Sequence, residues 1–595
     1  MHELIIIHPK AKISGRFEVL LEECGHFISF GEKYGETKEF ESRFHGKIER
    51  ISIAQDLESI FFSVANAFSD HVAHLAEQYS DSTFWWLSAY TEKNGWPSPH
   101  IVAEAVLEWL KQNENNYDRL ILLTSNPFFG LYLRRILPYV KVRTLGKALY
   151  YKSFIRMYPV ALGEVLLFYL RTVRRWWWIR RSGVIHCARS IAQRDNLILL
   201  RTYVNNDSFS ENGSYSEGKF GDLRETLERR GYSVVYEPNL TSVENHEAFY
   251  QWVAKKARDR FWLPDASLPF SFLLKAVQVC LTHFIFYHRL GLRVITQAGS
   301  FNLYAVAENF RKAQVPVMLQ RQGTFPKLVI FNWENKGYEK YMQILFRKLL
   351  PDTQVKGYLS GIPFPTGPEM LTFRKELKVT PYPDEIICMS QYALDILSSG
   401  GIPREILKLG PAIRHSYLFE EEKAGDEELC SGSLLVCLPL NRELSRELID
   451  VIVKYSNFDD VRDIVIKVHP FLNLEMVEEA LPANKVSDRL RVSTAPLGEE
   501  LRKTSYFVYC GPTTTACEAA AVGKKLLRYI SQNRFSLDCL YYDKEVSLQS
   551  FSSAEELRKL LSEEFRHFDS NTQKQRKGYY FSPVAPDMSN LDVFL

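Results

Sequence analysis

Apolar runs of four or five residues recur along this chain, each closed by a polar loop and followed by a stretch with helical spacing. Parallel strands need a crossover, and crossover helices cover both faces of the sheet they serve. Strands of this kind therefore read as short continuous apolar runs. The repeated strand–helix order points to an α/β protein built from doubly wound, Rossmann-type domains.

The first unit, 1–145, has Leu4–Ile7, Thr83–Leu87 and Arg119–Leu123 as expected strands. Leu57–Gln78, Ile101–Gln112 and Gly130–Leu137 are its expected helices. Residues 146–190 form a separate segment that is apolar, aromatic and basic at once. A second α/β unit, 191–370, is expected from the strands Leu197–Leu200, Ser233–Tyr236, Arg293–Gln297, Val315–Gln320 and Leu328–Phe331. A third, 371–565, follows a stretch rich in proline and charge. Its expected strands are Ile386–Met389, Ile406–Leu409, Leu434–Leu438, Ile464–Val468, Leu490–Val492 and Tyr506–Tyr509. The tail 566–595 carries aromatics that are expected to pack back onto the body.

Charge is balanced, with 74 Lys+Arg against 71 Asp+Glu and a net charge of +3, so bulk charge does not select nucleic acid as a partner. The nine cysteines form no CxxC pair and sit in apolar surroundings. They read as reduced, buried thiols of a cytoplasmic protein. No apolar run reaches the 18 or more residues of a membrane span. The Arg171–Arg181 stretch, with Trp176, Trp177 and Trp178 among its arginines, is expected instead to dock on the inner-membrane surface.

The strongest chemical signal is a pair of loops in the third unit. VIKVHP (Val465–Pro470) and YCGPTTTACEAAAVGKK (Tyr509–Lys525) both follow apolar strands. Ligands of open α/β sheets bind outside the carboxyl ends of the strands. Gly511 and Pro512 permit a tight turn, and Thr513, Thr514 and Thr515 bring hydroxyls and N–H groups to a helix start, where phosphate is favoured. His469 and Lys467 can donate to the same phosphate, and Glu518 is placed to accept from ribose hydroxyls. A simple helix cap would explain Thr513 alone. The pairing of the two strand ends favours a nucleotide site. His8–Pro9 repeats the dipeptide without a hydroxyl-rich partner and is set aside.

These two loops resemble those of bacterial transferases that use CMP-activated acidic sugars, such as sialyl-, Kdo- and related nonulosonate transferases. FWWLSAYTEKN, RTYVNNDSF…KFGDL and WENKGYEK resemble a wider set of bacterial surface-carbohydrate biosynthesis proteins. Two departures stand out: GYLSG (Gly357–Gly361) lacks an expected histidine, and no acidic-acidic-Gly motif is evident. The resemblance implies a metal-independent glycosyltransferase of the GT-B kind, with two Rossmann-type domains facing across a cleft and an extra N-terminal unit. It implies a CMP-sugar as donor substrate, no cofactor, and a capsule or lipopolysaccharide glycan, free or lipid-linked, as acceptor. CDP-glycerol-type phosphotransferases carry a similar loop pair, and a non-catalytic scaffold would also preserve it, so both alternatives stand.

Glycosyl transfer needs a carboxylate. Glu334 follows the strand Leu328–Phe331 and is the first candidate. Trp333 is expected to exclude water from it and raise its pKa. Asp207, after Leu197–Leu200, is the second candidate, and Glu339 is expected to face solvent at a helix start. Arg201, Gln320, Arg321 and Arg414 are candidate contacts to donor or acceptor. Ser88, Glu92 and Lys93 are read first as loop caps. His71 and His74 lack a partner cluster, and no metal site is expected.

Overall fold

Three parallel sheets account for all the described strands in a computed structural model of the chain. The structure describes residues 3–7, 26–29, 34–43, 49–80, 82–92, 99–113, 116, 119–123, 141–144, 147–184, 194–210, 214–243, 245–289, 302–365, 367, 370, 375–419, 433–458, 462–470, 472, 474–475, 477, 481, 489–546, 548–562 and 570–595. The first sheet holds β1 (Glu3–Ile7), β2 (His26–Ser29), β3 (Glu49–Arg50), β4 (Arg119–Leu123) and β5 (Lys141–Thr144), in the order β3-β2-β1-β4-β5. The second holds β6 (Leu197–Asn205), β7 (Ser233–Ser242), β8 (Leu328–Asn332), β9 (Gln354–Leu359), β10 (Glu385–Cys388) and β11 (Leu407–Leu409), in the order β11-β10-β9-β8-β6-β7. The third holds β12 (Leu434–Cys437), β13 (Ile464–Lys467), β14 (Leu490–Ser493), β15 (Tyr506–Tyr509), β16 (Lys525–Tyr529) and β17 (Gln549–Phe551), in the order β14-β13-β12-β15-β16-β17. The expected fold class is the observed one: two doubly wound α/β domains and an additional N-terminal α/β unit.

Each sheet reverses direction of growth at one place, and that place is where a crevice opens. In the second sheet it lies between β6 and β8, and in the third between β12 and β15. The corresponding gap of the first sheet lies between β1 and β4, and the loops that line it, His8–Pro9 included, fall outside the described residues.

Several expected elements come out differently. Thr83–Leu87 is not a strand; Thr83–Trp86 is a helical turn. The Trp86 indole donates to the Ser80 carbonyl (2.8 Å), and the Thr91 hydroxyl donates to the Ser88 carbonyl (2.9 Å). Local side-chain bonds thus satisfy the turn, while Trp85 and Trp86 are buried as they would be in a strand. Val315–Gln320 is likewise part of a helix, Val315–Gln322. Pro316 stands in its first turn and Gly323 closes it in the left-handed region (φ +65°), a start and a stop that outweigh the β-branched content. Ile386–Met389, expected to open the third unit, does not. Instead β10 pairs with β9 and β11 with β10, so both strands extend the second sheet, and the third sheet begins only at Leu434. The expected elements Gly130–Leu137 and Arg293–Gln297 lie outside the described residues.

The N-terminal unit packs on both other domains. Phe61 meets Phe535 (ring centroids 5.3 Å apart), and the Tyr34 hydroxyl donates to Asp450 (2.9 Å), both on the third domain's side. On the second domain, the Lys340 ammonium donates to the Thr91 carbonyl (2.9 Å), and Gly337 lies directly under the carbonyl of Trp86. The tail returns to the body, burying Tyr580, Phe581 and Phe594, with Phe594 against Tyr358 at 5.3 Å.

A Cβ on Gly337 would collide with the Trp86 carbonyl oxygen, which is backbone and has no rotamer to yield. Gly337→Ala is therefore expected to cost about 1–3 kcal/mol, read from denaturant unfolding. Gly163 lies mid-helix with open space, nothing within 4 Å, where a Cβ would stand, so Gly163→Ala is expected to be neutral or to stabilise. Equal effects at the two positions would contradict the packing at this junction.

Candidate functional site

The third-domain half of the site is built where the sheet order reverses. β15 ends at Tyr509, and Gly511 takes φ +65°, with Leu444 3.3 Å from where its Cβ would stand. A side chain there is strained twice over, by conformation and by space. The turn delivers Pro512 and then the threonines. The Thr513 and Thr515 hydroxyls lie 2.8 Å apart, and helix Thr515–Ala521 follows with Thr514 as an N-cap that makes no side-chain capping bond. Thr513, Thr514 and Thr515 are all half-buried.

His469 follows β13 on the neighbouring strand but one and is half-buried, with Pro470 exposed beside it. Burial, reinforced by Arg414, depresses its pKa to about 4. At neutral pH it is a neutral imidazole with one N–H to donate. Lys467 does not join it: its ammonium donates to the Ala495 carbonyl (2.5 Å) and is committed to the loop after β14. Positions 467 and 469 share a face of the strand, so it is this bond, and not strand alternation, that draws Lys467 away from His469. Glu518 is buried and also engaged internally. It accepts from the Tyr417 hydroxyl and lies 3.8 Å from the His415 ring. Burial raises its pKa, but His415, Tyr417 and Arg414 outweigh it and the net shift is downward. Its first role is thus to hold the connector Ile413–Phe419 against the helix start, not to stand open toward a ribose.

The second-domain half sits at the other reversal point. β8 ends in Asn332, and the loop Trp333–Lys336 turns through Asn335 in the left-handed region (φ +53°) before helix Gly337–Leu349. Glu334 accepts from the Asn332 amide (3.0 Å) and pairs with Lys336. The expected rise of its pKa does not occur. Burial pushes it up, but Lys336 first, then Lys219 and Tyr203, hold it below the usual carboxylate range. Trp333 is buried against Gly357. Glu339 is the group that burial raises, to about 7, with Glu334 adding to the shift. It is buried, not solvent-facing as expected, and accepts from the backbone N–H groups of Glu334 (3.0 Å) and Lys336 (3.2 Å).

Four groups that the sequence did not single out complete this half. Glu217 is half-buried and accepts from the backbone N–H groups of Lys219 (2.6 Å) and Gly221 (3.1 Å), which fixes the loop before helix Leu223–Arg229. Lys219 is depressed to about 8 by burial and by Arg414. Tyr203 and Tyr338 bring their hydroxyls to 3.3 Å of each other next to Lys336. The only sequence signal for Lys219 and Lys336 is their place in KFGDL and WENKGYEK; nothing in those strings says that the lysines become half-buried. Glu92 arrives from the N-terminal unit. Burial raises its pKa against Lys336 and Lys340, which places a third carboxyl in the cluster and makes it more than a loop cap. Ser88 remains a cap, accepting from the Thr91 N–H (3.2 Å), and Lys93 lies outside the described residues.

Arg414 joins the two halves. It is exposed on the connector between β11 and β12, and its charge acts on Lys219 of the second domain and on His469 and Glu518 of the third. Arg201 lies behind the site, over the Tyr338 ring (5.0 Å), and is committed to the fold. It is buried in β6, ion-paired with Glu237 at 3.0 Å and donating to the Lys312 carbonyl at 3.1 Å. Gln320 and Arg321 are exposed on helix Val315–Gln322, which enters β8 from its amino end, so they stand at the edge opposite Glu334. Asp207 lies in the turn Asn206–Ser208 just after β6, at the correct edge, and its side chain is outside the described residues. Among the described residues no cluster of three or more His, Cys, Asp or Glu is disposed to hold a metal ion.

Fold and site define a two-domain, doubly wound α/β protein whose two reversal-point loops meet across a connector carrying arginine. No protein-family description matches the chain, and no curated protein matches it. Solved structures similar to it include a Staphylococcus aureus MnaA–UDP co-structure (10% identity, TM-score 0.38, covering 67% of this chain and 94% of that one). A glycosyltransferase from Rickettsia africae is similar at 10% identity and TM-score 0.35 over 67% of this chain and 98% of that one. The calicheamicin glycosyltransferase CalG4 is similar at 11% identity and TM-score 0.35 over 68% and 99%.

Glu339 also makes the site legible in stability. Its folded pKa, about 7, lies above the ordinary 4.5, so the folded state holds the extra proton between those values. Stability is full below pH 4.5 and falls as pH rises through 7, by about 3 kcal/mol at most. Glu339→Gln is expected to flatten that fall, measured by urea unfolding at pH 5, 6, 7 and 8. An unchanged pH slope in the variant would show that another group carries it.

Proposed function

We propose that this chain is a metal-independent glycosyltransferase that takes its sugar from a nucleotide-activated donor. The observation that supports it is Arg414, whose charge reaches Lys219 on one domain and His469 on the other. A donor diphosphate or acidic sugar bound between the domains would find Arg414, Lys219 and Lys336 together, three cations of which two are half-buried. The turn Gly511–Thr515 would hold the nucleotide phosphate through hydroxyls and N–H groups, with His469 donating as a neutral imidazole. Glu334 is the proposed base. Held ionised by Lys336 and oriented by Asn332, it would accept the proton of the acceptor hydroxyl as that oxygen bonds to the anomeric carbon. The bond from that carbon to the phosphate oxygen breaks, and the nucleotide leaves with the electron pair.

We propose a CMP-linked acidic sugar as donor and a bacterial surface glycan as acceptor. The cationic cluster suits a sugar that carries its own carboxylate in addition to the phosphate. A CDP-polyol phosphotransferase would use the same cations at phosphorus, and a scaffold would bind no nucleotide.

CMP at millimolar concentration is expected to raise the melting temperature, because a ligand that binds only the folded state stabilises it. His469→Ala and Thr514→Ala should each shrink that shift without lowering the melting temperature of the free protein. Stabilisation by UDP or UDP-glucose in place of CMP would reassign the donor, and no shift with CMP, CDP, UMP or UDP would remove the nucleotide site. Glu334→Gln is expected to keep the CMP shift and to lower release of CMP from a CMP-sugar by about a hundredfold. Near-normal turnover in that variant, with loss in Asp207→Asn, would transfer the base to Asp207.

Lys219 adds a pH test. A cation that titrates near 8 loses its charge there, so turnover should decline as pH rises through about 8. Lys219→Arg, which stays charged, should move that decline to higher pH. A profile that is the same in both proteins would separate Lys219 from the reaction.

A further inference from the structure

The helix Lys147–Ser182 and the helix Phe270–Arg289 lie side by side and antiparallel. Two ring pairs fix their register. Tyr158 meets Phe284 with centroids 5.4 Å apart, and Phe168 meets Phe272 at 6.4 Å. The inner faces are well packed: Phe168 is 1% exposed and Phe272 3%. The outer faces are apolar too. Leu162, Leu166, Leu170, Val173 and Trp177 recur at three- and four-residue spacing on the first helix, and Phe270, Leu274, Leu281 and Ile285 form the matching stripe on the second. Leu162 is 71% exposed and Phe270 67%. The register sets Leu166 and Leu170 beside Phe270 and Leu274, so the two stripes make one continuous apolar face. A patch of this kind marks an interaction site.

Its border is strongly basic. Arg171, Arg174, Arg180 and Arg181 are exposed on the first helix and Lys275 on the second. Past the end of the first helix a groove is lined by Arg181, Lys255, Lys256 and Arg258, with a single carboxylate, Asp259, which lies 3.7 Å from Arg194. Among the described residues of the two helices no carboxylate lies on this face. Glu164 is the only acid in either helix, and it is turned inward, accepting from the Leu303 N–H at 2.7 Å. The tryptophans divide: Trp177 is exposed under the Arg181 guanidinium (5.0 Å), whereas Trp176 and Trp178 are half-buried. The three-tryptophan anchor expected from the sequence is therefore one tryptophan plus a two-helix leucine and phenylalanine face.

We propose that this two-helix face lies flat on an anionic lipid bilayer. Its apolar stripes would enter the headgroup–acyl boundary while the bordering arginines and lysines meet lipid phosphates. No helix among the described residues is long and apolar enough to cross a membrane, so the contact is peripheral. A second copy of the chain fits less well, because the face offers no carboxylate to meet the partner's arginines. A protein partner would place charge at the rim and an equally apolar core opposite, whereas a rim in which arginines and lysines far outnumber the one acid, Asp259, matches a plane of uniform negative charge.

The full chain is floated with phosphatidylcholine vesicles, with and without one-third phosphatidylglycerol. Binding is expected to the anionic vesicles and to weaken as salt rises. The triple variant Leu166→Glu, Leu170→Glu, Leu274→Glu should lower binding about tenfold or more, and so should Arg171→Glu, Arg174→Glu, Arg180→Glu, Arg181→Glu, both with an unchanged melting temperature. All seven positions are exposed, so folding is not at stake. Absence of flotation, or flotation undiminished in both variants, overturns the proposal. A dimer in light scattering that the leucine variant abolishes, without flotation of the parent protein, assigns the face to a second copy instead.

Discussion

Lys336 is a half-buried cation, and the arrangement around it follows from the need to neutralise it. A charge taken out of water is costly unless paired. Lys336 pairs with Glu334, lies over the Tyr203 ring, and feels Glu339 and Glu92. Those partners come from β6, from the loop after β8, from the following helix and from the N-terminal unit. Satisfying one ammonium therefore sets the relative position of three segments of the second domain and one of the first. The left-handed Asn335 is the local cost of bringing Glu334 and Lys336 face to face within a short loop.

Arg414 does for the two domains what Lys336 does within one. The connector that carries it is held by the Tyr358 hydroxyl, which donates to the Pro411 carbonyl (3.0 Å), and by Glu518, which accepts from Tyr417. Gly221 lies against Ile413, so the loop that presents Lys219 rests on the same connector. The site's two halves are thus tied to one short strip of chain. The tail crosses the same boundary: helix Ser570–Tyr580 packs on helices Gln391–Ser399 and Thr515–Ala521. Two crossings of the boundary leave the domains joined yet distinct, an arrangement suited to gripping a ligand between them.

The N-terminal unit is more than an appendage. Its Trp86 carbonyl and Thr91 carbonyl seat the start of the helix that follows the Glu334 loop, and its Glu92 adds to the charge cluster. Its other side grips the third domain, where Arg528 pairs with Glu58 at 3.6 Å and the Ser536 N–H donates to the same carboxylate. A carbohydrate-facing or lipid-facing surface can be built outward from such a frame without loosening the cleft.

Local pattern alone determined a good deal. Apolar runs long enough for a strand and flanked by amphipathic helices specify parallel sheets, and Gly511 with its threonines specifies a turn at a strand end, because both follow from periodicity and backbone conformation. Tertiary structure decided the rest. Thr83–Leu87 became a turn of helix because the Thr91 hydroxyl reaches the Trp85 and Trp86 carbonyls and the Ser88 N–H donates to Trp85, contacts that hydrophobicity does not encode. β10 and β11 joined the second sheet because strand order is set by which edges are free to pair, not by distance along the chain. Arg201 turned inward to Glu237 and Lys467 to Ala495, whereas Lys219, Lys336 and Arg414 converged. Charge type is written in the sequence, but whether a charge is spent on holding the fold or kept for a ligand depends on which partners the fold brings within about 3–4 Å.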